Sequence, residues 1–260
     1  MIAAPLGLPG HLLIDPFLRM AQGLNDVNEH NTALGTWTHK NGWGGVYTKD
    51  EHPEIVRSVE ACWEDVVVDA LRDERVLLLH ARRASRGGVS IENTHPFEHE
   101  IDGARWYFCH NGTVRDDLPT SSTLTTKPTT DSEKIFHLLL PHLRVGQVLR
   151  GFREVYSGFS DFTSLNTFLL GSDSFWAVSL CTQNPIYYAL TLSKPPDGPV
   201  VSSEPLVEFP AAPAIDRLGE SLLEQAKDRG VRWIEQPAED LGHPLDLDPV
   251  FAQSYARVLA

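Results

Sequence analysis

Cysteine is scarce in this 260-residue chain, with Cys62, Cys109 and Cys181 the complete set. Three thiols make no disulfide framework and fit a reducing compartment. No CxxC pair suggests zinc. Basic charge is also short: 22 Lys and Arg stand against 35 Asp and Glu, for a net charge of −13 and a pI near 5.2. That balance excludes nucleic acid as the main partner, because phosphate binding needs a basic surface. Long apolar runs are missing, and none approaches the roughly 18 residues of a membrane span. No basic stretch precedes an apolar one at the start, so no secretory signal is expected and the cytoplasm is the expected compartment. Internal repeats and a clear linker are missing too. One domain over 1–260 is expected, with 237–260 as a C-terminal tail.

The hydrophobic content of 42% suits a globular core. Leu12, Leu13, Phe17, Leu18, Met20 and Leu24 approximate a helical stripe over 11–30. Residues 36–47 start as a turn and end as a strand, and the glycines Gly42, Gly44 and Gly45 let the backbone approach something closely. Residues 54–72 again look helical. The run 76–82 is apolar with a polar end, the pattern of a buried strand that delivers His80 and Arg82 to its edge. Residues 106–110 repeat that design before an Asn111-Gly112 turn. A Thr-, Ser- and Pro-rich loop over 117–130 leads to a helix beginning near Asp131. Strands are then expected over 165–170, 175–180, 186–192 and 200–203, with turns at 171–173 and 183–185. A last helix is expected over 216–229. This order implies an α+β fold with two sheets packed between helical layers.

Several clusters have residue types suited to chemistry. Arg82 offers a planar fork to a carboxylate. Asn111 and Gly112 supply two N–H donors of the kind that stabilise an oxyanion, or else form an ordinary Asn-Gly turn. Asp131 is an acid at a helix start, either a cap or a ligand group. His95 and His99 stand four apart, which would place both on one face of a helix. Without an HExxH signature the spacing is a weak metal signal, so no metal and no cofactor are expected.

In order along the chain come Asn41-Gly42-Trp43-Gly44, His80-Ala81-Arg82-Arg83-Ala84-Ser85, Asn93-Thr94-His95-Pro96-Phe97, His110-Asn111-Gly112, Thr130-Asp131-Ser132-Glu133 and Ser202-Ser203-Glu204-Pro205. The series resembles the glutamine-binding half of the class II glutamine amidotransferases, in their stand-alone single-domain branch. The similarity spans roughly residues 3–206. It implies a four-layer αββα N-terminal-nucleophile hydrolase sandwich. It further implies that Arg82, with Ser85 beside it, binds the α-carboxylate of glutamine and that Asp131 receives its α-ammonium. Asn111 and Gly112 would form the oxyanion hole, and Trp43 and Gly44 would belong to a loop of the site. Asn41 stands where the family usually has Asp.

The family's nucleophile is a cysteine at the mature N-terminus, with its own α-amine as base. This chain begins Met1-Ile2-Ala3-Ala4-Pro5, which resembles the end of the family's first strand and the turn after it. The resemblance therefore implies a nucleophile about six residues upstream of Met1. Cys109, mid-strand and without an α-amine, does not substitute; Cys62 and Cys181 read as core positions in a helix and a strand. The expected activity is hydrolysis of glutamine or another γ-glutamyl amide, with ammonia passed in some members to a partner synthase. Two further readings stay open: an inactive module that binds or senses a γ-glutamyl compound, and a metal hydrolase built on His95 and His99.

Overall fold

The computed structural model describes residues 1–24, 37–119, 129–172, 174–182, 188, 190–193, 195–206 and 208, and the backbone of 234–235 and 257–259. The chain forms two compact units. The first carries β1 (Ile2–Pro9), α1 (Gly10–Gln22), β2 (Trp43–Lys49), β3 (His52–Ser58), α2 (Val67–Ala70), β4 (Arg75–Ala81), β9 (Thr191–Ser193) and β10 (Val200–Ser202). The second carries β5 (Phe97–Ile101), β6 (Ala104–Asn111), α3 (Asp131–Arg144), α4 (Val148–Tyr156), β7 (Asn166–Leu170), β8 (Phe175–Ser179), β11 (Ile234–Glu235) and β12 (Arg257–Leu259).

In the first unit the strands run β3-β2-β4-β1-β10-β9, all antiparallel. Helix α1 turns Leu13, Ile14, Phe17, Met20 and Ala21 inward at helical spacing, and they join Ile2, Leu8, Val76 and Leu79 of the sheet in one core. Burying each of the larger side chains contributes roughly 1.5–3 kcal/mol as an upper bound. Gly23 ends the helix in the left-handed conformation, at φ 70°.

The second unit orders its strands β11-β12-β8-β7-β6-β5. Its core is separate. Ile135, Phe136, Leu139 and Leu143 of α3 and Val148, Phe152 and Tyr156 of α4 pack with Phe108, Leu169 and Val178 of the sheet. Thr130 caps α3, its hydroxyl accepting the Glu133 N–H at 3.1 Å. Among the described residues, no helix is long and apolar enough to cross a membrane.

Several expectations are corrected. Residues 54–72 are not one helix: they open as β3 and reach only the short α2 and a turn of tighter helix at Leu71–Asp73. Asp50 and Glu51, at φ 49° and 66°, close a two-residue hairpin between β2 and β3, which draws the segment into the sheet. The start of the chain does not turn at Ala4-Pro5 but stays in β1 to Pro9 through a register shift between Ala3 and Leu8. Strand β5 and helix α4 were not expected at all. His99 lies inside β5 and His95 just before it, so no helix holds the pair. Cys62 sits in a turn rather than a helix, and Cys181 in an isolated bridge to Ser164. Three tail residues, Arg257–Leu259, pair as β12 with β8. Of the strand expected over 186–192, Tyr188 is helical and only Thr191 and Leu192 are strand, in β9. Residues 186, 187 and 189, the helix expected over 216–229, the turn at 183–185, residue 173 and the rest of the tail lie outside the described residues.

Candidate active site

Within the first unit, the end of β4 draws three of the sequence motifs together. Arg82 donates its backbone N–H to Gly42 O at 2.8 Å, and its carbonyl accepts the N–H of Asn41 at 2.9 Å. The Asn41 side chain in turn accepts the Ala84 N–H at 3.1 Å. The backbone on both sides of Arg82 is thus clamped to the Asn41-Gly42 turn. Asn at position 41, where an Asp is usual, still supplies the acceptor.

The Arg82 side chain is buried, and its Nη1 donates to Gly88 O at 3.2 Å. Asn93 Nδ2 donates to the same carbonyl at 3.1 Å. The guanidinium and the Asn93 carboxamide are thus tied to one backbone carbonyl.

Trp43 is fully buried, with its indole N–H bonded to Asp65 Oδ2 at 2.9 Å, so its role in this unit is packing. Gly44 explains what the glycine-rich stretch approaches. A Cβ there would stand 2.4 Å from the His95 carbonyl oxygen and 2.6 Å from that of Val56. Only glycine leaves room for both.

The second unit holds the other candidates around the end of β6. Asn111 is the last residue of that strand and pairs in register with Asn166 of β7. Gly112 follows at φ 154°, and a Cβ built on it would lie 1.9 Å from the Ser164 carbonyl oxygen. Position 112 therefore excludes every side chain. Thr113 and Thr163 bind each other twice: Thr113 N–H to the Thr163 hydroxyl at 3.0 Å and Thr163 N–H to Thr113 O at 2.9 Å. The Thr113 hydroxyl reaches Ser85 Oγ at 3.0 Å. Asp131, buried at the first turn of α3, accepts the Val114 N–H on Oδ2 at 2.7 Å. It is not the cap of its helix; Thr130 is. Asp131 Oδ1 carries no hydrogen bond among the described residues. Ser85, Gly112 and Asp131 are therefore connected through residues 113–114.

His110 braces the same loop from beneath. Its Nε2 lies 3.0 Å from Ser164 O and its Nδ1 3.0 Å from Ser132 Oγ. A carbonyl only accepts, so Nε2 carries the proton and Nδ1 takes the Ser132 hydroxyl. Burial pushes the His110 pKa below its ordinary value, against the pull of the Asp131 carboxylate, and keeps the ring neutral.

The thiols lie elsewhere and are not activated. Burial raises the Cys62 thiol to about 12 and that of Cys181 to about 11, and raises Cys109 as well. None is a thiolate near neutrality. The motif-based reading missed Ser164, whose carbonyl faces Gly112 and His110, and Asn166. The available signal was a polar Asn-Thr pair inside the apolar run Leu165–Leu170.

Known proteins similar to this chain point to one family. The family model for class-II glutamine amidotransferases matches residues 24–169. Two curated proteins bear the name "putative glutamine amidotransferase". The Haemophilus influenzae protein is 27% identical over 166 residues, covering 58% of this chain and 55% of that protein. YafJ of Escherichia coli is 28% identical over 163 residues, covering 58% and 64%. The chain thus spans less than two thirds of either relative. Among solved structures, the allosteric regulatory enzyme of purine biosynthesis superposes with a TM-score of 0.53 at 16% identity, covering 78% of this chain and 41% of that one. This likeness shows the fold, and it is the α+β N-terminal-nucleophile hydrolase fold that the motifs implied.

Proposed function

The chain belongs to the class-II glutamine amidotransferases, and we propose that it holds and cleaves glutamine or another γ-glutamyl amide. The observation that carries this reading is the bracing of the loop after β6. Gly112 is pressed on the Ser164 carbonyl while Asp131 grips the Val114 N–H, so oxyanion donor and carboxylate belong to one rigid piece.

In the proposed reaction a cysteine thiolate attacks the γ-carbonyl, with the α-amine of that cysteine taking the thiol proton. The Asn111 carboxamide and the Gly112 N–H receive the oxyanion, where one such donor is worth roughly 2.7–4 kcal/mol of barrier. The protonated amine departs, and water cleaves the thioester to give glutamate. Arg82 holds the substrate α-carboxylate with help from Ser85, and Asp131 holds the α-ammonium. The opposite charges of Arg82 and Asp131 match a zwitterionic amino-acid head.

The family resemblance puts the nucleophile on a cysteine at the mature N-terminus, and Cys62, Cys109 and Cys181, whose thiols burial pushes up, do not fit that role. The cytoplasm is the proposed compartment, and a synthase that accepts ammonia is the proposed partner.

The protonated thiols also favour a second reading, a module that binds a γ-glutamyl compound without cleaving it. Assay of the natural full-length protein separates the two. Glutamate release from glutamine or a γ-glutamyl amide supports the enzyme; saturable glutamate binding without any release supports the module. The 260-residue chain alone is expected to release no ammonia. Release by that chain, lost on Cys109→Ala, would contradict the assignment of the nucleophile.

A further inference from the structure

Asn166 is a fully buried carboxamide on β7, directly opposite Asn111. Its Nδ2 donates to Tyr188 O at 2.5 Å. Because a carbonyl only accepts, this bond fixes which end of the amide is nitrogen. Its backbone N–H goes to Ser164 Oγ at 3.1 Å, on the residue whose carbonyl faces Gly112 and His110. The Asn166 Oδ1 is left buried without a hydrogen-bond partner among the described residues. An orphaned acceptor of this kind is costly and uncommon in a folded protein, and calls for a function.

The register supplies one. Directly opposed residues of an antiparallel pair project from the same face, with Cβ atoms roughly 4.5–5.5 Å apart. Asn111 is the half-buried member of the pair and brings two N–H donors on Nδ2. The Asn166 oxygen is sealed from solvent, and the register makes the Asn111 side chain its neighbour on the same face.

We propose that Asn166 is a positioning residue whose Oδ1 accepts one Nδ2 proton of Asn111 during turnover. The other Nδ2 proton is then left fixed on the developing oxyanion. Asn166 touches no reacting atom. It sets the rotamer of the group that does, and the Tyr188 carbonyl holds Asn166 in turn. The inference rests on the proposed role of Asn111 in amide hydrolysis.

The test is a double-mutant cycle on glutamate release by the natural full-length protein. Asn111→Ala should lower kcat by about 100- to 1,000-fold, the usual cost of an oxyanion donor. Asn166→Ala should lower kcat by about 10- to 100-fold with KM for the amide and Kd for glutamate changed less than about 2-fold. In the Asn111→Ala background the same change should cost less than about 2-fold. Thermal unfolding checks the fold of each variant. Should Asn166→Ala not fold, Asn166→Ser replaces it in the cycle, with the same loss expected because its hydroxyl is too short to reach Asn111.

An Asn166 effect that multiplies fully with that of Asn111, or that falls on KM and glutamate affinity, overturns the positioning role alone. A parent that releases no glutamate, or an Asn111→Ala enzyme that turns over like the parent, overturns the hydrolytic reading and this inference with it.

Discussion

Gly112 lies against the carbonyl of Ser164 so closely that a Cβ would come within 1.9 Å of the oxygen. The Ser164 carbonyl also accepts the Nε2 proton of His110 at 3.0 Å, so it has little freedom to withdraw. The loop after β6 is therefore held by sterics on one side and hydrogen bonds on the other. Gly112→Ala tests this. At φ 154° with no room for a methyl group, the substitution should cost about 1–3 kcal/mol or more. A clear drop in Tm is expected by calorimetry; an unchanged Tm would show that the loop yields.

Asp131 separates structure from recognition by a simple comparison. Asp131→Ala removes the acceptor of a buried N–H, and should cost about 1–3 kcal/mol in urea unfolding. Asp131→Asn keeps a carbonyl oxygen for the Val114 N–H and should cost about 1 kcal/mol or less, mainly through the lost charge at the start of α3. Both should weaken glutamate binding by at least about tenfold in calorimetry, if the carboxylate holds the α-ammonium. Binding retained by Asp131→Asn would remove Asp131 from the recognition scheme.

His110 predicts a pH dependence with a definite sign. Its folded pKa lies below the usual 6.5, so below that pH the unfolded chain binds the extra proton first. The stabilisation is complete above 6.5 and is lost as pH falls toward the depressed folded value, at no more than about 1.4 kcal/mol per pH unit. Urea unfolding between pH 7.5 and 5.5 should show this slope, to which His39 and His137, also lowered by burial, add in the same sense, and His110→Gln should reduce it. A variant as steep as the parent would assign the slope to other groups.

The thiols give a direct chemical check. Cys62 and Cys109 are fully buried and their pKa values are raised, so neither should react with iodoacetamide in the native state at pH 7.5. Cys181, partly exposed and raised to about 11, should react only slowly. Mass spectrometry after a short exposure should find all three unmodified until denaturant is added. Rapid native labelling of Cys109 would reopen its candidacy as a nucleophile.

Much of this was legible in the residues. The apolar run ending in His80-Ala81-Arg82 delivered Arg82 to a strand end, and Thr130-Asp131 announced the start of α3, because those signals are local. Asp102-Gly103, at φ 52° and 84°, is a strong hairpin signal between β5 and β6 that the motif reading passed over. Asp50-Glu51 closes an equivalent turn without glycine, so no local turn signal marks the start of β3. The roles of Ser164 and Asn166 depend on register between strands more than 50 residues apart along the chain, from Asn111 to Asn166, and no local pattern encodes that.

If the protein cleaves a γ-glutamyl amide as proposed, glutamate must appear as a product. The most direct measurement is glutamate released by the natural full-length protein from glutamine and from a panel of γ-glutamyl amides. Release from at least one of them is expected, abolished by Arg82→Ala. No release from any amide, with glutamate still bound saturably, would contradict the proposal.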